Sequence, residues 1–439
     1  MTLRRIIGLL GLLLVLALPS LAQEGLIASV TGDVSLRVGA GTQWRRVAIL
    51  SVGTNVALDG RNDDGTWVRG ITQNGQVGWM AAQFLSVSPE QALSLPITLR
   101  EAPITVSAPP GGSAPASAPA TAGNPAPVTS RASLASFSYG GHVANLSEET
   151  FNYMRRAGMS WAKVQVKYQR GASPDGVRGI IDTMKGAGFR AFLGVVGEPQ
   201  AVTEGGYFED YANYVAGLAA LGADAIEVWN EPNIDREWAS GSISGAFYTQ
   251  LLAQSYNAIK RANPATLVIS GAPAPTGFFG GCSPAGCDDL PFIQQMAAAG
   301  ATNYMDCVGV HYNEGIVAPD RRSGDPRVPQ FYTRYFSTMV DTYWQAFGGR
   351  KPLCFTELGY VTPEGFGFIS DGFSWGANTT VAQQAAWLRG AKDLSRRGNR
   401  VRMMIVWNVD FKQYDNDPMA GYAIVRPDGS CPACDALGR

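Results

Sequence analysis

The sequence predicts an α/β protein, a (β/α)8 TIM barrel preceded by a small all-β barrel. From about Leu134 onward, apolar strand-like runs alternate with helical patterns eight times in about 300 residues, the repeat of a barrel of this kind. Residues 26–86 instead alternate short β-rich segments with Asp-Gly and Asn-Gly turns, which are hairpin signals. Between the two lies Ala102 to Ser130, a stretch without a charged residue in which Pro and Ala fill more than half the positions. Such a segment has too few large apolar groups to offset its ordering entropy by burial, so it reads as an extended spacer.

At the N-terminus, Arg4 and Arg5 precede an apolar run from Ile6 to Leu18, followed by Pro19 and Ser20-Leu21-Ala22. The run is short of the roughly 20 residues that cross a bilayer, so it reads as a secretory signal, residues 1–22, cut after Ala22. The mature chain is expected to be secreted, periplasmic or at the cell surface, with no membrane segment after cleavage. With 35 basic against 36 acidic residues the net charge is −1, leaving no basic excess to neutralise phosphates, so nucleic acid is not an expected partner.

The small barrel is predicted over residues 26–87. Leu36-Arg37-Val38-Gly39-Ala40-Gly41-Thr42, Gly65-Thr66-Trp67-Val68 and Val77-Gly78-Trp79-Met80 through Phe84-Leu85 resemble the bacterial SH3-like (SH3b) domain. The resemblance implies binding of cell-wall peptide or glycan. Trp67 and Trp79 could line such a groove, with barrel core the competing use for at least one of them. The spacer is assigned to residues 88–133 and the large domain to 134–439.

Within the large domain the strands are read as ending near Gly140, Tyr168, Val196, Trp229, Gly271, His311, Glu357 and Asn408. Ser147 to Ala157 reads as a helix capped by Ser147, with Glu148 and Glu149 in its first turn. Val381 to Arg397 reads as another, capped by Thr379 or Thr380. A doubly wound sheet also alternates strand and helix, but no Gly-rich phosphate fingerprint follows the first strand, so the barrel is favoured. Six cysteines in an exported chain allow disulfides. Cys282 and Cys287 are expected to staple a Gly/Pro-rich loop, and Cys431 with Cys434 to form a terminal bridge. Cys307 and Cys354 lie in apolar runs and read as buried small hydrophobes. With only two His in the chain, a four-ligand zinc site at the terminal Cys pair is not expected.

The chemistry concentrates at two strand ends. Ala225-Ile226-Glu227-Val228 runs into Trp229-Asn230-Glu231-Pro232-Asn233, where Pro232 stops strand pairing and leaves Glu231 at the barrel mouth. Leu353-Cys354-Phe355-Thr356-Glu357-Leu358-Gly359-Tyr360 repeats the arrangement three strands later. A carboxylate at the end of an apolar strand is costly unless used or paired, and ends of the fourth and seventh strands can face each other across a pocket.

These two segments resemble the acid/base and nucleophile motifs of the clan A glycoside hydrolases, retaining TIM-barrel enzymes with cellulase-, mannanase- and β-xylosidase-type families. The similarity covers Leu134 to Arg439, including Gly421-Tyr422-Ala423-Ile424-Val425-Arg426-Pro427-Asp428-Gly429-Ser430 in the tail. The resemblance implies that Glu231 is the acid/base, Glu357 the nucleophile and Asn230 a contact of the sugar 2-hydroxyl. It also implies a substrate contact at His311 or Tyr312 and another at Trp407. His142 ends the first strand, where a subsite role and a structural role both fit, and Trp238 and Trp375 lie in loops on the same face, where they can extend the cleft. The chain departs from the clan where Arg near the end of the second strand and His near the third are common; Lys167 and Glu198 stand in those regions. The expected activity is retaining hydrolysis of β-glycosidic bonds in poly- or oligosaccharides, with no metal or organic cofactor; a rival reading has the same chemistry directed at peptidoglycan by the SH3-like domain. The alternative is a non-catalytic glycan- or cell-wall-binding protein built on a degenerate barrel.

Overall fold

Alternation of apolar and polar residues builds the N-terminal sheet. The structure, a computed structural model, describes residues 26–37, 40–42, 46–62, 64–72, 77–95 and 137–439. The signal segment, Val38-Gly39 of the first SH3-like motif, the Asn74-Gly75 turn and residues 96–133 of the spacer lie outside the described residues. The chain divides into two units, Met1–Asn124 and Pro125–Arg439.

In the first unit the strands Leu26–Ser29, Val34–Arg37, Arg46–Leu50, Asn55–Arg61, Trp67–Thr72 and Val77–Ala81 form an antiparallel sheet. Its spatial order is first, fourth, fifth, sixth, second, third. Period-two alternation turns Val34, Leu36, Val56, Leu58, Val68 and Met80 into one core. Trp79 is buried and Trp67 half-buried. Structure continues past residue 87, into the stretch assigned above to the spacer. Ser88 caps a short helix, Pro89–Ser94, in a reciprocal pairing with Gln91, and Ala92 and Leu95 join the sheet's core.

The second unit is an eight-stranded parallel barrel. Its strands, in chain order, are Ser138–His142, Trp161–Lys167, Arg190–Val196, Ala225–Val228, Leu267–Ser270, Val308–Tyr312, Leu353–Leu358 and Val401–Val406. Each ends within two residues of the position read from the sequence. The sheet order is 5-4-3-2-1-8-7-6 along the chain-numbered strands, and a parallel bridge between Ile269 and Cys307 closes strand five onto strand six. The helix Glu148–Arg156 begins at Ser147, whose hydroxyl accepts from Thr150 N, and Val381–Gly398 begins at a Thr380–Gln383 capping box.

Side chains on alternate positions fill the barrel. Trp161, Phe192, Ala225, Ile269, Cys307, Cys354, Met403 and Ile405 pack together in its interior. Cys307 and Cys354 are not separate thiols, as the apolar runs suggested, but a disulfide joining the start of strand six to strand seven. Adjacent parallel strands bring their inward-facing residues together in a way that a linear sequence does not display. Cys282–Cys287 and Cys431–Cys434 are also bonded.

Candidate active site

Strand four delivers Glu231 through a backbone turn that few residues adopt. Trp229 has φ 76° and Glu231 φ 43°, both left-handed and neither glycine. Each such residue costs on the order of 1–3 kcal/mol unless its surroundings hold it. Here Trp229 N donates to Val195 O at 3.0 Å and Glu231 N to Ala272 O at 2.9 Å. The Trp229 indole donates to Glu237 O at 2.7 Å and packs against Tyr211 and Trp238. Asn233 is buried and locks the following loop, donating to Ala274 O and Cys287 O and accepting from Ala274 N.

Strand seven delivers Glu357 through a bulge. Cys354 faces the barrel interior, so strict alternation would put Thr356 inside and Glu357 outside. The register with strand six instead slips after Val310, which pairs with Phe355, so that His311 pairs with Glu357. The extra residue re-aims the side chain, as bulges beside functional sites do.

His311 joins the two carboxyl groups. Its Nδ1 is 3.1 Å from Glu231 Oε1 and 3.8 Å from Glu357 Oε2. The two oxygens are therefore no farther apart than these spans laid end to end. Glu231, Glu357 and His311 are all buried. His142 Nδ1 and Lys163 Nζ each lie 3.8 Å from Glu357 Oε1. On the outer side, Arg236 Nη2 donates to Glu231 Oε2 at 2.8 Å.

This arrangement separates the proton affinities of the groups. Burial pushes Glu231 up, but the His311 hydrogen bond and charge, together with Arg236, bring it below the usual carboxylate value. Burial raises Glu357, and Glu231 and Glu227 add to that against the opposing His311 and Lys163, leaving it above its ordinary value. Burial disfavours protonated His311, yet Glu357 and Glu231 outweigh it and raise the imidazole. His142 goes the other way, held well below its usual value by burial, Lys163 and His311. The resting site thus favours a proton on His311 beside an ionised Glu231.

The remaining candidates divide. The His142 ring meets Trp407 edge-on at 4.9 Å and Phe411 at 5.3 Å, and Trp407 is half-buried at the end of strand eight. These three therefore form one wall beside Glu357. Asn230 is 9% exposed, in the turn between Trp229 and Glu231. Tyr312 does not belong to the site: alternation turns it to the opposite face from His311, where it is fully buried and its hydroxyl donates to Arg334 O. Trp238 is likewise fully buried against Trp229 and Phe247 rather than in the cleft. Trp375 is half-buried, with the Arg327 guanidinium 4.8 Å from its ring.

Four site residues were not singled out from the sequence. Lys163 and Glu227 form a buried ion pair of 2.8 Å, and the cation near Glu357 on strand two is Lys163, not the exposed Lys167. Charged residues inside apolar strands were the available signal. Arg236 and Glu237 follow strand four in a polar loop and gave none. Glu237 is pushed up to about 7 by burial and then by the charge of Glu231. Among the described residues, no cluster of three or more His, Cys, Asp or Glu side chains could hold a metal ion.

No family model matches the chain, and no curated protein does. Among solved structures, it is similar to a family 39 glycoside hydrolase from the gut symbiont Bacteroides cellulosilyticus WH2, at 15% identity and TM-score 0.48, over 94% of this chain and 76% of that one. It is similar to the endoglucanase Cel5A of Thermotoga maritima at 12% identity and TM-score 0.43, over 68% of this chain and 96% of that one. The GH53 catalytic domain of Ignisphaera aggregans gives 14% identity and TM-score 0.46, over 70% and 91% respectively.

Proposed function

We propose that the large unit is a retaining β-glycosidase of poly- or oligosaccharides that uses Glu231 and Glu357 as its two carboxyl groups. The observation that carries this reading is the placement of both at the C-terminal mouth of the barrel, bridged by one imidazole nitrogen 3.1 Å and 3.8 Å away. The bound this sets on their separation accommodates the roughly 5–5.5 Å of retaining enzymes.

In the first step the proton on His311 passes to Glu231 Oε1, and Glu231 gives it to the glycosidic oxygen as the C–O bond breaks. Glu357 attacks the anomeric carbon and forms a glycosyl ester. In the second step Glu231 removes a proton from water, which attacks the same carbon and releases Glu357. Asn230 binds the sugar 2-hydroxyl, and Trp407 offers its face to the apolar side of the ring. The reaction needs no metal or organic cofactor. In the same reading the chain is exported, and the N-terminal sheet is an SH3-like module that holds cell-wall peptide or glycan.

The test is an anomer-resolved NMR assay of the first product formed from a panel of β-linked glycans and aryl β-glycosides. Retained configuration is expected; inversion, or full activity in Glu357→Ala, overturns the assignment.

A further inference from the structure

Beneath the two carboxyl groups the barrel holds a charged pair that the reaction above leaves unused. Lys163 Nζ lies 2.8 Å from Glu227 Oε2, and each side chain is 1% exposed. Two ions taken out of water are costly even when paired, and apolar residues of similar volume often serve stability as well or better. Stability alone is thus a weak reason for this pair.

Its surroundings are built around it. Lys163 is on strand two and Glu227 on strand four, so the pair must pass across strand three. The residue there is Gly194, in register with Glu227. A Cβ at that position would stand 3.1 Å from Lys163 Cε and 3.4 Å from Glu227 Oε2. Glu227 is itself fixed, with its Oε1 accepting from Ala272 N at 3.3 Å. Held in this way, the ammonium donates to Thr356 O at 3.1 Å and stands 3.8 Å from Glu357 Oε1. It therefore touches the bulge residue that re-aims strand seven and faces the carboxyl group that the bulge presents.

We propose that Lys163, held by Glu227 across the gap at Gly194, is a positioning residue that fixes Glu357 and sets its charge. The inference rests on Glu357 being the nucleophile. The titratable groups that bear on Glu357 are His142 from strand one, Lys163 from strand two and Glu227 from strand four. Glu231 and Glu237 follow strand four, His311 comes from strand six, and Tyr422 follows strand eight. Of these, Lys163 is the cation anchored from below, away from the cleft in which a sugar would lie.

Two variants of opposite sign test this. In Lys163→Met the positive charge is gone, and the Glu357 carboxyl should titrate about one pH unit or more higher. In Glu227→Gln the ammonium is no longer shared, and Glu357 should titrate lower. The readout is the 13C NMR titration of the glutamate side-chain carboxyl carbons, with Glu357 assigned by its loss in Glu357→Gln. The acid limb of kcat/KM on an aryl β-glycoside should follow the same two directions, with kcat falling more than KM changes. Gly194→Ala, which keeps both charges but crowds them, should shift the Glu357 titration without removing it.

Titrations that stay in place, or that move the same way in both charge variants, overturn the proposal. Should a single variant fail to fold, Lys163→Met/Glu227→Gln removes both charges of the pair, the nearer of them the cation, and Glu357 should still titrate higher than in the parent; no shift there overturns it equally. If the carboxyl titrations move as expected while no β-glycoside is turned over, the charge setting stands and the glycosidase reading fails.

Discussion

Arg236 donates a 2.8 Å hydrogen bond to Glu231 although its own side chain is 69% exposed. An acid that must carry a proton thus has a cation at its open side, and the cation favours loss of that proton. Replacing Arg236 by Gln should move the alkaline limb of kcat/KM to higher pH, since that limb reports the proton shared by His311 and Glu231. An exposed charge is screened by salt, so raising ionic strength should move the parent limb in the same direction and leave the variant's in place. A limb insensitive to both changes would remove Arg236 from the site's electrostatics.

Glu357 sets the opposite limb. Its carboxyl is held above the ordinary value, chiefly by burial, and it must be ionised to attack. Activity should therefore fall on the acid side at a pH above 4.5, the ordinary value of this group. The pH profile of kcat/KM on an aryl β-glycoside checks this directly.

Loss of the acid should depend on the leaving group. Glu231→Ala is expected to lower kcat roughly 10²–10⁴-fold on unactivated glycosides, the usual reach of general acid catalysis. Aryl glycosides whose phenol leaves without help should lose less in the first step. A uniform loss across leaving groups of different acidity would mean that Glu231 does not protonate the departing oxygen.

A carboxyl group away from the cleft should govern stability. Asp289 is buried at the start of the helix Asp289–Ala298 and accepts from Tyr332 Oη at 2.5 Å and Tyr343 Oη at 2.9 Å. Burial, acting against those two hydrogen bonds, raises it from 3.8 to about 7. The folded state therefore favours the protonated acid. The stabilisation is complete below pH 3.8 and lost as pH rises through about 7. Thermal melts of Asp289→Asn against the parent should lack this component, so the difference between them should change in the parent's disfavour as pH rises.

The Cys307–Cys354 bond closes a loop with a sequence separation of 47. A cross-link of that span is worth roughly 4 kcal/mol through the unfolded chain. Cys307→Ser/Cys354→Ser should lower the melting temperature markedly, with little effect on the carboxyl pair at the other end of the strands.

How far the sequence could be read follows from what period and spacing encode. Repeated apolar runs mark every barrel strand, because a strand packed on both faces is mostly apolar. Pro232 and the run before it marked where Glu231 stands. The same reasoning sets Glu357 across from Glu231, but without its cause, since alternation from Cys354 points Thr356 inward and only the bulge reverses this. At strand six, His311 and Tyr312 could not be separated by type; alternation separates them, one into the site and one into the outer core. Lys163 does not stand out in the sequence because Lys167 is nearer the strand end, and depth inside a barrel is not written in the order of residues. The Cys307–Cys354 pairing was hidden for a related reason, as it links neighbours in the sheet that are distant in the chain.

The closed sheet also bears on how the molecule meets its own copies. With strand five bridged to strand six, the barrel offers no open row of backbone donors and acceptors to another chain. The N-terminal sheet has two outer strands, Leu26–Ser29 and Arg46–Leu50, carrying Ile27 at 69% and Ile49 at 58% exposure. Among the described residues, the place where a further strand could pair is thus in the small unit rather than the barrel, and polar replacements at Ile27 and Ile49 should make that pairing less favourable.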